Sequence, residues 1–234
     1  MVVRKMYKNY DEIVNVRLVS YSQPGPEFLH LGEDDRTTLT NLITYCARVS
    51  NPSNQDNTET SEKLLNYLLK NKHFSPFEMV NVCLEITSTR DIVRQILRHK
   101  SFTGFQEYSQ RYADPTKDLE FCLRECRLQD PNNRQKSIEC DNIELSDEWE
   151  NIQMEVINFV KERYEWAISQ GIAKEVARVI LPEGNTVSRM YMNGSIRSWI
   201  HFIEVRSGNG TQKEHMMVAR ACAEAINKIF SHIK

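Results

Sequence analysis

Arg94, Gln95 and Arg98 fall within about 100° of one another on a helix expected from 90 to 98, opposite an apolar face of Ile92, Val93, Ile96 and Leu97. That helix empties into His99-Lys100 and then Ser101-Phe102-Thr103-Gly104-Phe105-Gln106-Glu107-Tyr108-Ser109-Gln110-Arg111-Tyr112. Guanidinium forks suit a phosphate, hydroxyls suit its remaining oxygens, and aromatic rings stack on a flat heterocycle. The segment therefore fits an anionic ligand that carries a flat ring. Spacing alone favours the plainer reading, a solvated face of ion pairs. Three further candidates stand apart: His73 before Ser75-Pro76, Arg178 between Ala177 and Val179, and the pair Arg197 and His201 at i, i+4. By spacing alone His73 reads as a capping neighbour, and Arg178 fits a structural ion pair and a ligand role equally.

These residues need a frame. Helices are expected over 35–50 and 58–71, the second with an apolar stripe of Leu64, Leu65, Leu68 and Leu69, and the loop 51–57 separates them. A strand is expected over 79–88, the helix 90–98 follows, and 185–192 is extended ahead of a helix over 195–205. In that last helix Trp199, Ile200 and Ile203 join Ile196 as core. Ser146 is the expected cap of another helix, whose apolar face of Trp149, Ile152, Val156 and Val160 runs toward a stop at Gly171. Thr211-Gln212-Lys213-Glu214 has the capping-box pattern and opens a final helix burying Val218, Cys222, Ala225 and Ile229. The stretch 113–145 is charged and aperiodic, a surface excursion from a single domain spanning 1–234. The fold class is α+β, dominated by helix.

Composition narrows the function. The chain has 234 residues, 40% hydrophobic, with eight glycines and seven prolines, which excludes low-complexity and collagen-like classes. Its longest uncharged stretch, 37–47, is far short of the roughly 20 residues of a membrane-spanning helix. Met1-Val2-Val3-Arg4-Lys5-Met6-Tyr7-Lys8 lacks an apolar region behind its basic residues, so a cytoplasmic protein is expected. Cys46, Cys83, Cys122, Cys126, Cys140 and Cys222 contain no Cys-x2-Cys pair, and no histidine neighbours the group at 122–140, so reduced thiols and no metal are expected. Gly208-Asn209-Gly210 is a turn without the context of a dinucleotide fingerprint, so any flavin or nicotinamide binds without a Rossmann unit.

Arg98-His99-Lys100, eight residues and Ser109 resemble the signature of the flavin-dependent thymidylate synthases: Arg-His-Arg, seven or eight residues, then Ser. His73-Phe74-Ser75-Pro76-Phe77-Glu78 resembles the family's upstream element, and Glu175-Val176-Ala177-Arg178-Val179-Ile180-Leu181-Pro182 a third. Asn193 to Phe202 followed by Arg206 is similar to its carboxy-terminal helix. Lys100 departs from the usual Arg, keeping the charge and losing the planar fork. Ser195 and His201 stand where some members have Asn.

The resemblance implies the family fold, a helix-dominated α+β domain with a small antiparallel sheet, and a homotetramer with active sites shared between chains. It implies FAD contacts from His73, Ser75, Arg98, His99, Lys100, Glu107, Ser195, Arg197 and His201. It implies dUMP contacts from Gln95, Arg98, Glu107, Tyr108, Ser109, Gln110, Arg111, Arg178 and Arg206. The implied reaction converts dUMP to dTMP, with methylene-tetrahydrofolate as one-carbon donor and NADPH reducing FAD. Arg206 is the expected catalytic residue, stabilising charge on the pyrimidine ring. Ser109 has no evident base beside it and reads as a ligand to substrate. Two other readings are open: a related flavoenzyme acting on dCMP or leaving a hydroxymethyl group, and a module binding single-stranded nucleic acid. The net charge of −2 weighs against the second.

Overall fold

The computed structural model describes residues 7–208 and 210–233. The amino-terminal residues 1–6 and Asn209, the centre of the expected turn, lie outside them. Among the described residues no helix is long and apolar enough to cross a membrane.

A four-stranded antiparallel sheet organises the chain. Its strands are β1 (Asn15–Tyr21), β2 (Asn81–Thr89), β3 (Gly104–Glu107) and β4 (Val187–Ser195), in the order β1-β2-β4-β3. Val82, Leu84 and Ile86 from β2 and Met190 and Met192 from β4 are fully buried on one face. On the other face Glu85 accepts from Arg17 and from the Tyr191 hydroxyl, each at 2.8 Å. One apolar and one polar face is the usual economy of an antiparallel sheet.

Six longer helices surround it: α1 (Asp35–Ala47), α2 (Ser61–Lys70), α3 (Arg90–Ile96), α4 (Ile143–Ser169), α5 (Ile196–Arg206) and α6 (Lys213–Ile226). Strand β2 runs straight into α3, and β4 straight into α5. The pairing of Asn81 with Ser195 and of Thr89 with Val187 makes those two helices start at opposite ends of the sheet. Their apolar sides, Ile92, Val93 and Ile96 from α3 and Ile196, Trp199 and Ile203 from α5, enter the same core. Trp199, Ile200 and Ile203 are buried as expected, and the Trp199 indole N–H donates to the Val82 carbonyl at 3.0 Å. This arrangement brings the polar residues at the carboxy-terminal ends of α3 and α5 together.

Several expectations are corrected. Helix α3 stops at Ile96, so Arg98 lies in the following turn, and α5 runs one residue further, to include Arg206. Helix α4 is capped by Asn142, which accepts from the Leu145 N–H, and not by Ser146. Its buried positions are Gln153, Ile157, Tyr164 and Ala167, whereas Trp149, Ile152 and Val156 are 40–44% exposed. Gln153 decides the rotation. Its amide bonds the backbone N–H and carbonyl of Arg124 at 2.8 and 2.9 Å and accepts from Asn185, so a polar side chain fully supplied with partners is buried at little cost.

The Thr211 capping box does not form either. Helix α6 begins after Gln212, and Glu214 turns to Arg124 and Arg127 at 3.2 and 2.7 Å. Those arginines come from the supposed surface excursion, which is therefore only partly at the surface. Phe121, Cys122 and Leu123 are buried, whereas most of the ribbon of Arg127–Gln129 against Ser137–Glu139 is exposed.

Candidate active site

Arg206, at the end of α5, is half-buried, and its Nε–H donates to His99 Nε2 at 2.8 Å. His99 is buried edge-on against Phe202, with ring centres 4.9 Å apart. Burial first, then the charges of Arg206 and His201, push its pKa down to about 4. A neutral ring with a free nitrogen lone pair is what an arginine N–H requires of its acceptor. His215 of α6 is wholly buried beyond it and held lower still, to about 3, by burial and then by Arg206 and His99. Gln95 reaches this group, meeting the His215 ring at 3.3 Å and donating to Gln212 at 2.8 Å. The anion-binding face expected on the helix is thus divided: Gln95 turns to α6 while Arg94 turns to Glu107.

Glu107, at the end of β3, is the hub of a second group. It accepts from Arg90 at 3.1 Å and from the Ser188 hydroxyl at 3.0 Å, and it pairs with Arg94 at 3.2 Å. Arg90 is buried, and repulsion from Arg94 and Arg178 adds to the burial that lowers its pKa. Arg111 pairs with Glu175 at 3.3 Å, and Arg178 donates to the Glu175 carbonyl. Tyr108 donates to Asp118 at 2.8 Å, the Ser109 hydroxyl accepts from the Arg111 N–H, and Gln110 is buried with its amide nitrogen unpartnered.

The third group lies at the start of α5. Ser195 caps the helix by accepting from the Ser198 N–H and gives its own proton to Glu78, whose other oxygen holds Arg197 at 2.9 Å. Ser198 donates to the Ser101 carbonyl. A cleft of about 510 Å³ opens here between Phe74, Ser101, Arg197, Ile200 and His201. Arg98 and Lys100 are exposed and have no carboxylate partner among the described residues. His73 is also exposed, edge-on to Tyr67, and follows Lys72, which lies just past the end of α2 with a φ of 56°.

Sequence reasoning missed the roles of Glu78, Arg90 and His215. Glu78 had a signal, since it ends the quoted His73–Glu78 element; His215 had none, because only folding lays α6 beside His99. No three side chains of His, Cys, Asp and Glu gather as a metal set among the described residues.

Residues 34–231 match the family model described as thymidylate synthase complementing protein. The chain is 46% identical over 218 residues to a flavin-dependent thymidylate synthase of Synechocystis sp., covering 93% of this chain and 96% of that one. It is 42% identical over 222 residues to a probable flavin-dependent thymidylate synthase of Paramecium bursaria Chlorella virus 1, covering 94% and 97%. The crystal structure of a UMP/dUMP methylase, PolB from Streptomyces cacaoi, bound with 5-Br dUMP shares the fold with a TM-score of 0.75 at 22% identity, over 93% of this chain and 91% of that one. The signature at 98–109, the three accompanying elements and these matches agree: the chain belongs to the flavin-dependent thymidylate synthase family.

Proposed function

We propose that the protein converts dUMP to dTMP, using FAD, methylene-tetrahydrofolate as one-carbon donor and NADPH as reductant, in a homotetramer whose subunits share active sites. The observation that carries this reading is Arg206 held by a neutral His99 at the junction of α3 and α5. As C5 of the uracil ring becomes nucleophilic, negative charge develops on N3 and O2, and a preoriented guanidinium stabilises it. Cysteine has no part in that activation.

The donor set fits the flavin. Arg98 and Lys100 have charge to spare for phosphates, and Phe74 and Ile200 supply apolar surface beside Arg197 and His201. Bound FAD would supply the redox step, relaying hydride from NADPH. Arg197 is oriented by Glu78, and Ser195 is already committed to the helix cap and Glu78, so its contact with flavin is shared with that duty. On the substrate side, Arg111 and Arg178 bind dUMP in the shared site that the family resemblance implies. The exposed apolar side of α4 supports that assembly.

Purified protein incubated with FAD should hold flavin after desalting, and dUMP should stimulate its NADPH oxidation with dTMP as the product by mass. Absence of flavin uptake at excess FAD, or a product with the mass of a hydroxymethyl nucleotide, would overturn the reading.

A further inference from the structure

We propose that Cys126 and Cys140 form a reversible disulfide site, separate from the proposed catalytic chemistry. In the ribbon of Arg127–Gln129 and Ser137–Glu139, Arg127 pairs with Glu139, Leu128 with Ile138 and Gln129 with Ser137. One step further in the same register sets Cys126 opposite Cys140. Directly opposed antiparallel residues have Cα atoms about 4.5–5.5 Å apart. A disulfide spans about 4.4–6.8 Å. The two thiols are near enough to act on each other's ionisation, and both line one cleft with Ser146 at the start of α4.

Reactivity is divided between them as exchange requires. Cys140 is held below the ordinary thiol value, chiefly by a hydrogen bond with the Asn142 backbone, while burial and the neighbouring Cys140 push Cys126 up. Both are half-buried and line an open cleft of about 570 Å³ with Tyr10, Arg124 and Lys213, so a small oxidant reaches them. The other thiols differ. Cys122 and Cys222 are buried, Cys122 with its pKa pushed up to about 12, and burial also raises Cys46 and Cys83.

The oxidant is a low-molecular-weight disulfide such as oxidised glutathione. The Cys140 thiolate attacks its S–S bond, forming a mixed disulfide and expelling one glutathione thiolate, which takes up the proton released from Cys140. Cys126 then loses its proton and attacks the Cys140 sulfur, and the second glutathione leaves as the thiol. Two protein thiols are oxidised and one glutathione disulfide is reduced. The bond closes the loop 127–139, whose base is fixed to α6 through Arg127 and Glu214.

The test equilibrates the native protein in oxidised and reduced glutathione, quenches exchange with acid, then labels free thiols with N-ethylmaleimide in denaturant before intact-mass measurement and peptide mapping. In oxidising mixtures the number of labelled thiols should fall by two from the six of the reduced chain, with one peptide pair linked through 126 and 140. Dithiothreitol should restore all six. Cys126→Ser should stop at a glutathione adduct on Cys140, and circular dichroism should show it folded. Six labelled thiols in the oxidising mixture, a link through other cysteines, or a persistent glutathione adduct on wild-type Cys140 would each overturn the proposal.

Discussion

Arg206 donates to His99 across 2.8 Å, joining the end of α5 to the turn after α3 through a bond that exists only while the imidazole is neutral. His99 and His215 share this environment, with pKa values pushed down from 6.5 to about 4 and about 3. In the unfolded chain both take up protons near 6.5, whereas the folded chain resists until lower pH. The unfolded state thus binds more protons through this window, so stability is full above about pH 6.5 and is lost as pH falls toward 4 and then 3. The depressed carboxylates Glu85, Glu125 and Glu214 add their loss only below about pH 4.5. Urea unfolding in a pH series should show the decline between 6.5 and 4.5, and His215→Gln should flatten it. A profile level over that range would rule out neutral burial of the two rings.

Replacing Arg206 separates charge stabilisation from flavin binding. Arg206→Ala should keep flavin and assembly while slowing single-turnover dTMP formation by about 10²–10³, the typical cost of one donor to developing charge. Arg206→Lys should recover only part of the rate, because an ammonium cannot keep the Nε bond to His99 and a planar fork together. Formation of dTMP by the alanine variant at the wild-type rate, at equal flavin occupancy, would exclude the role.

Gly194 is needed for close approach. A Cβ there would lie 2.5 Å from Cδ1 of Phe102, a ring packed at 4.7 Å from Trp199 deep in the core. Gly194→Ala should therefore destabilise the fold by about 1–3 kcal/mol, the usual cost of overpacking. Chemical denaturation checks it, and an unchanged midpoint would show that Phe102 moves aside freely.

Helix α4 leaves Trp149, Ile152, Val156 and Phe159 exposed at 40–58%. If other subunits cover this side, Trp149→Glu with Phe159→Glu should break the assembly in light scattering, abolish dTMP formation and leave helical content intact. A fully active monomer would refute the shared active site.

Local signals carried much of this protein. The spacing of Arg98, His99, Lys100 and Ser109 and the three accompanying elements identified the family, because these are short-range patterns of side chains that need no knowledge of packing. The apolar alternation of Val82, Leu84 and Ile86 marked β2 for the same reason. Partner choice was not local. Glu214 fitted a capping box in sequence but pairs with Arg124 and Arg127, from a segment far along the chain whose charges suggested solvent. The rotation of α4 turned on Gln153 finding the Arg124 backbone, and without that partner an apolar stripe was the natural side to bury. The neutrality of His99 likewise depends on α5 and α6 closing over it. Periodicity states which residues share a face; only the tertiary structure decides which buried polar groups find partners, and so which face turns inward.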